Sequence, residues 1–234
     1  MKIQDKVLKT AFMLVVLCGF CFYGCDLDNY DAPNATLTGR LVDSETNEAM
    51  PTQTPNGARI RIYEFYKGEW SPQPYDFWVK QDGSFENRSA FAGRYRITAE
   101  GAFADFEPVE TDISGTTTLD IRVTPYLRLS VNAVPGAGGE VTLSTQISRS
   151  ANAPKIRTVS FVCGKTPYVD KNTFVKKTDL DVNSVSDDEI ISQTYSATLT
   201  GLTPNSTVYV RVGAFANNAG SHYNYSNVLE VKLP

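Results

Sequence analysis

Ala58-Arg59-Ile60-Arg61-Ile62-Tyr63 sets an apolar residue against a basic or aromatic one at every step. Successive side chains of a strand point to opposite faces, so this period of two marks a strand with one dry and one wet face, as in an antiparallel sheet. The same beat continues outward. Upstream, Leu37, Gly39 and Leu41 alternate with Thr36, Thr38 and Arg40. Downstream, Tyr95 and Ile97 alternate with Arg94 and Arg96, and Leu119, Ile121 and Val123 with Asp120 and Arg122. Turn signals fall between the runs: Pro55-Asn56-Gly57, Gln81-Asp82-Gly83, Ala92-Gly93 and Ser114-Gly115. A second series starts near Tyr126, after Thr124-Pro125. It takes in Leu127, Leu129 and Val131, a loop at Val134–Gly139, then Val141, Leu143 and Ile147, and a hydrophobic run from Val159. Val208, Val210, Val212 and Ala214 follow, and last Val228 to Leu233. No amphipathic helix of useful length is evident. The spacing predicts an all-β chain of two consecutive β-sandwich domains, residues 34–125 and 126–234.

The N-terminus reads differently. Lys2, Lys6 and Lys9 precede Ala11–Gly24, a stretch of 14 uncharged residues. A basic flank followed by a short apolar run is the pattern of an export signal, and it falls short of the ~20 residues needed to cross a bilayer. Signal cleavage before a lipid-modified cysteine needs a small residue just before the cut. Cys18 follows Leu17 and Cys21 follows Phe20, whereas Cys25 follows Gly24 and leads into Asp26-Leu27-Asp28-Asn29-Tyr30-Asp31. Residues 1–24 are therefore expected to be a lipoprotein signal peptide and Cys25 the lipidated residue, with 25–33 as a tether from membrane to fold. Phe22 and Tyr23 depart from the bacterial lipobox, which has Leu and a small residue there. A plain secretory signal with an unmodified Cys25 is the alternative.

Setting aside Lys2, Lys6, Lys9 and Asp5 leaves 19 basic and 25 acidic side chains, a formal charge of −6. That balance argues against nucleic acid or anionic lipid as a partner. With Cys25 acylated, Cys163 has no partner for a disulfide and no companions for a cysteine metal site. It closes the run Val159-Ser160-Phe161-Val162, where a buried, inert thiol is expected.

Two stretches carry family resemblances. Leu37-Thr38-Gly39-Arg40-Leu41-Val42-Asp43 with Thr46 and Glu48, then Asp82-Gly83-Ser84-Phe85 and Phe91-Ala92-Gly93-Arg94-Tyr95-Arg96-Ile97, resemble the prealbumin-like, carboxypeptidase-regulatory-type β-sandwich modules. Leu202-Thr203-Pro204-Asn205-Ser206-Thr207, followed by Val208 to Ala214 and then Ser226 to Val231, resembles the later strands of a fibronectin type III module. Val208 stands where such modules hold their corner tyrosine. The two modules in this order behind a lipobox resemble a family of Bacteroidota lipoproteins encoded beside SusC/SusD-type outer-membrane nutrient importers. The resemblance implies an outer-membrane, surface-exposed lipoprotein that accompanies a TonB-dependent importer. Asp26, Asp28 and Asp31 resemble the acidic surface-export signal of these bacteria.

Chemistry is sparse. The single histidine, His222, has no sequence partner for a catalytic triad or a zinc site and is expected to be a solvated loop residue. No catalytic residue, metal site or cofactor is expected, and the chain is read as a non-enzyme. Asp179, Asp181, Asn183 and Asp187 match four positions of a calcium loop, but Ser184 replaces its turn glycine and Ile190 its bidentate glutamate. A solvated acidic loop is expected there. The informative cluster is aromatic: Tyr63, Phe65, Tyr66, Trp70, Tyr75, Phe77 and Trp78 surround Pro72 and Pro74. Aromatic faces suit sugar rings and extended peptides alike. Trp70, Tyr75, Trp78 and Tyr66 are the candidate ligand-binding residues, Trp70 foremost as an exposed contact. Inward packing of Phe77 and Val79 is the plain alternative. Tyr223 and Tyr225 form a lesser cluster. The expected role is a non-catalytic accessory to a SusC/SusD-type importer that binds glycan. The alternatives are capture of oligopeptide, or a purely structural accessory docking on the importer.

Overall fold

The computed structural model describes residues 31–234; the signal segment and Cys25 lie outside the described residues. The first half contributes nine strands: β1 (Ala35–Asp43), β2 (Arg59–Tyr66), β3 (Glu69–Trp70), β4 (Tyr75–Trp78), β5 (Ser84–Ala90), β6 (Gly93–Glu100), β7 (Val109–Ile113), β8 (Thr116–Thr118) and β9 (Ile121–Val123). In one sheet β1 is central. It pairs antiparallel with β5 on one side and parallel with β8 and then β9 on the other. In the second sheet β2 pairs with β3 and β4 on one edge and with β6 on the other, and β7 closes the far edge. Leu37, Leu41, Phe85 and Ile121 of the first sheet meet Ile60, Ile62, Tyr95 and Ile97 of the second in one buried cluster. Each such side chain contributes roughly 1.5–3 kcal/mol by leaving water. Gly39 has a steric reason: a Cβ there would lie 1.8 Å from the Leu119 carbonyl oxygen, where the chain passes from β8 to β9. Tyr95 is buried, and its hydroxyl donates to the Phe91 carbonyl at 3.0 Å, a tyrosine anchored four residues upstream.

The second half folds as β10 (Leu127–Leu129), β11 (Asn132–Gly136), β12 (Glu140–Arg149), β13 (Ile156–Gly164), β14 (Lys176–Asp181), β15 (Thr194–Leu199), β16 (Thr207–Ala216), β17 (Asn224–Tyr225) and β18 (Leu229–Lys232). β10 and β11 run successively along β12, which pairs with β15 on its other side. The facing sheet runs β14, β13, β16, and then β17 and β18 along β16. This is the three-plus-four strand arrangement of a fibronectin- or immunoglobulin-type sandwich. Val208, Val210 and Val212 are buried, and the hydroxyl-bearing Tyr209 falls on the other face. Both halves are β-sandwiches, and strands dominate the described residues.

One helix was not legible. α1 (Asp187–Ser192) forms inside the acidic stretch because Ser186 accepts from the Glu189 N–H at 3.2 Å as N-cap and Ile190 is buried. Asp187 accepts from the Ile156 N–H at 3.1 Å and faces Lys155 at 3.4 Å and Arg149 at 3.5 Å. Its carboxylate is therefore committed to holding α1 against β13. Asp179 and Asp181 sit apart on β14. Among the described residues, no three His, Cys, Asp or Glu side chains gather as a metal site would require.

Polar groups join the two sandwiches. Asn224 donates to the Ala102 carbonyl at 2.8 Å and accepts from the Leu127 N–H at 3.1 Å, so one side chain ties β17 to both halves. Arg128 meets the Asp43 carboxylate through both Nε and Nη2, and donates to Ser150 Oγ at 3.1 Å. Hydrogen bonds from Arg128 and from nearby backbone N–H groups hold the Asp43 carboxyl below its usual range, although burial alone, the largest single influence, pushes it up. Arg211 is fully buried. Its Nη1 donates to the Thr52 carbonyl at 3.0 Å, and Nε and Nη2 donate to the Ser226 carbonyl at 3.1 and 2.9 Å. Tyr225 donates to Gln53 Oε1 at 3.2 Å.

Candidate ligand-binding face

The register of β2 decides what the second sheet of the first sandwich shows to solvent. Ile60 and Ile62 turn inward, so Arg59, Arg61, Tyr63 and Phe65 turn outward. Residues directly opposite share a face. Trp78 therefore joins Arg59, Asp76 joins Arg61 and Trp70 joins Phe65 on the outside. From β6 and β7 come Glu100 beside Arg59, Thr98 beside Arg61, Arg96 beside Tyr63, and then Glu110 and Asp112 beside Arg96 and Arg94. Both tryptophans of the chain thus lie on one outer face. Their partners Arg59 and Phe65 are six positions apart on β2, or ~20 Å at 3.3 Å per residue.

Charges on this face neutralise one another. Arg59 meets Asp76 at 2.9 Å and also Glu100; Arg61 meets Glu100 at 3.0 Å and Asp76 at 3.5 Å. Arg94 and Arg96 both reach Glu110, at 2.8 and 3.0 Å. The Arg96 guanidinium foremost, with Arg94, holds the Glu110 carboxyl below its ordinary range. Cations also sit over the rings. The Arg96 guanidinium lies 4.4 Å from the Trp70 centroid and Arg59 lies 5.5 Å from that of Trp78. Phe65 packs tilted against Trp70 at 4.9 Å.

The four candidate residues do not form one cluster. Trp70 is half-buried, wedged between Phe65 and the two arginines, rather than the freely exposed contact expected of a loop residue. The reason is that Glu69-Trp70 is a strand paired with β2, joined to it by a tight turn at Lys67-Gly68, both with positive φ. Trp78 is 38 % exposed. Tyr66 and Tyr75 are 64 % and 57 % exposed, but Tyr75 pairs with inward-facing Ile62 and Tyr66 has the same parity. They therefore line the opposite side of the sheet edge from the tryptophans. Val79 is buried, and Phe77 packs half-buried against the core near Phe85. Trp70 and Trp78, with Tyr63 between them, make the face.

Two family models match the chain: the protein of unknown function (DUF3823) N-terminal domain over residues 35–124, and the domain of unknown function DUF3823_C over residues 127–230. The chain belongs to the DUF3823 family. Solved DUF3823 proteins share its fold. One from Bacteroides uniformis is 21% identical with a TM-score of 0.75, and one from Parabacteroides merdae is 27% identical with a TM-score of 0.70. A further Bacteroides uniformis structure, described as a candidate carbohydrate-binding protein, is 21% identical with a TM-score of 0.71. Each of the three is covered over 100% of its own length, matching 86% of this chain. No curated protein matches the sequence.

Several residues that organise this DUF3823 chain were missed or misread in its sequence. The inward Val208, Val210 and Val212 place Arg211 on the outer face of its sheet, which alternation alone reads as solvent. That face is instead the domain junction, with the Arg211 guanidinium 4.2 Å from the Tyr225 centroid. Burial lowers the Arg211 pKa to about 10. Tyr225 is buried rather than a surface aromatic, and Tyr223 stacks on Phe215 at 5.3 Å. His222, expected in solvent, places Nδ1 3.0 Å from the Asn56 carbonyl of the other sandwich. Cys163 is buried, and burial pushes its thiol up to about 11.

Proposed function

We propose that this DUF3823 protein is a non-catalytic carbohydrate-binding lipoprotein that captures glycan on the outer face of its first sandwich. One observation carries the reading: Trp70, Tyr63 and Trp78 lie along a single exposed sheet face whose arginines and carboxylates are mutually compensated. Aromatic faces stack on the apolar C–H side of sugar rings, while paired guanidinium and carboxylate groups offer fixed donors and acceptors to hydroxyls. A family member described as a candidate carbohydrate-binding protein supports the class of ligand. The run Lys2 to Cys25 and the resemblance to importer-associated lipoproteins support a lipid anchor at Cys25, exposure on the outer membrane, and a SusC/SusD-type importer as partner.

Titration of the full chain against glycan and oligopeptide panels by calorimetry tests the reading. A saturable glycan signal with a component that is lost in Trp78→Ala is expected. A signal with peptides alone, or one indifferent to both Trp70→Ala and Trp78→Ala, contradicts it. One observation favours a second reading, in which this face docks on the importer: each indole already carries a guanidinium against it. Loss of assembly in Trp78→Ala with glycan binding intact would select that reading.

A further inference from the structure

Where the sandwiches meet there is a cleft of about 720 Å³, within the ~300–1,000 Å³ range of small-molecule sites, which favour domain boundaries. Lys80, Gln81 and Asp82, from the turn before β5, form one wall. Tyr168, from the loop between β13 and β14, and Asn227 form the other, with Arg211 at the floor. Gln81 Nε2 donates to the Pro167 carbonyl at 2.6 Å, tying the walls together.

Tyr168 is 67 % exposed, yet its loop is held firmly. Val169 beside it is fully buried, and the buried Asp170 carboxylate accepts from the Asn172 and Thr173 N–H groups at 2.7 and 2.9 Å. A large ring kept in water by a fixed loop loses little freedom when a ligand covers it. Across the cleft Asp82 is also fixed, its Oδ1 accepting from the Ser84 N–H at 3.0 Å and hydroxyl at 2.7 Å. Lys80 forms no ion pair within 4 Å among the described residues, and its charge acts on Asp82 from a distance. Arg211 feels the buried Asp170 in the same way. The charges of the site are therefore balanced, while donors, acceptors and an aromatic face stand together.

We propose that this cleft is a second binding site that takes a neutral mono- or disaccharide, stacked on Tyr168 and held through its hydroxyls by Lys80, Asp82 and Asn227. The class of ligand rests on the glycan reading above; the residues are a separate set.

Calorimetry on the full chain, with neutral saccharides and their uronate counterparts as probes, separates the two readings. Two saccharide-binding components are expected: the outer-face one is lost in Trp78→Ala, whereas the cleft one is weakened about ten-fold or more by Tyr168→Ala and by Asp82→Asn and remains in a Trp70→Ala/Trp78→Ala double variant. The cleft component should also persist from about 50 to 500 mM salt. Tyr168 is a surface residue, so an unchanged unfolding midpoint will show that the variant is folded. If Trp78→Ala abolishes all binding and Tyr168→Ala none, the cleft proposal falls and the outer-face reading stands. Binding lost in Tyr168→Ala but intact in a Trp70→Ala/Trp78→Ala double variant supports the cleft and sinks the outer face. A preference for uronates that fades with salt overturns the neutral class, and silence with every saccharide overturns both.

Discussion

Arg211 and Arg96 each lie over an aromatic ring, and they do different work. Arg211 sits 4.2 Å from Tyr225, fully buried, with backbone carbonyls of both sandwiches as acceptors. Arg96 sits 4.4 Å from Trp70 at the surface, with Glu110 as its partner. In the junction the guanidinium is a fastener, and removing it strands buried carbonyls. On the outer face water can replace every hydrogen bond it makes. The same contact is therefore structural where it is dry and disposable where it is wet.

Breaking the dry side should cost most. Arg211→Ala is expected to destabilise the chain by about 3–5 kcal/mol, measured by urea unfolding, because the Thr52 and Ser226 carbonyls lose their donors and a cavity opens. A loss below about 1 kcal/mol would place the strength of the junction elsewhere. Asp43→Ala comes next, at about 2 kcal/mol, as Arg128 remains partly hydrated. Its sign with pH is fixed: the folded carboxyl titrates below its unfolded value, so the contribution is complete above that value. It fades as pH falls below about 4 and through the folded value, where wild type and Asp43→Asn should converge in stability.

The wet side should give smaller changes in stability and larger ones in binding. Trp70→Ala removes contacts with Phe65 and the arginines and should lower stability by about 1 kcal/mol. Trp78→Ala should shift stability by no more than about 0.5 kcal/mol while removing the outer-face component of glycan binding. A Trp78→Ala protein as destabilised as Arg211→Ala would erase the distinction between the two regions.

What the sequence disclosed follows the same division. Alternation found the strands and the inward residues of both sandwiches, because one buried face forces a period of two; Leu37, Ile60, Ile97 and Val210 all point where the pattern sends them. It could not find the junction. Arg211 and Tyr225 occupy an outer face that becomes buried only when the second sandwich meets the first, and no local pattern records that meeting. The six residues of α1 were equally silent, since one buried Ile190 is too little to show a period. Within the aromatic cluster the residue types were legible, but which rings share a face depended on the pairing of β3 and β4 with β2.

Gly213 lies beneath the ring of Tyr225, and a Cβ there would come within 2.6 Å of it. That ring is bonded in turn to Gln53 of the first sandwich. The bare backbone at this point works as the thinnest possible shim. A single methyl group at position 213 would be passed through the tyrosine to the neighbouring sandwich, so the closeness of the two sandwiches at this contact depends on an atom the chain leaves out.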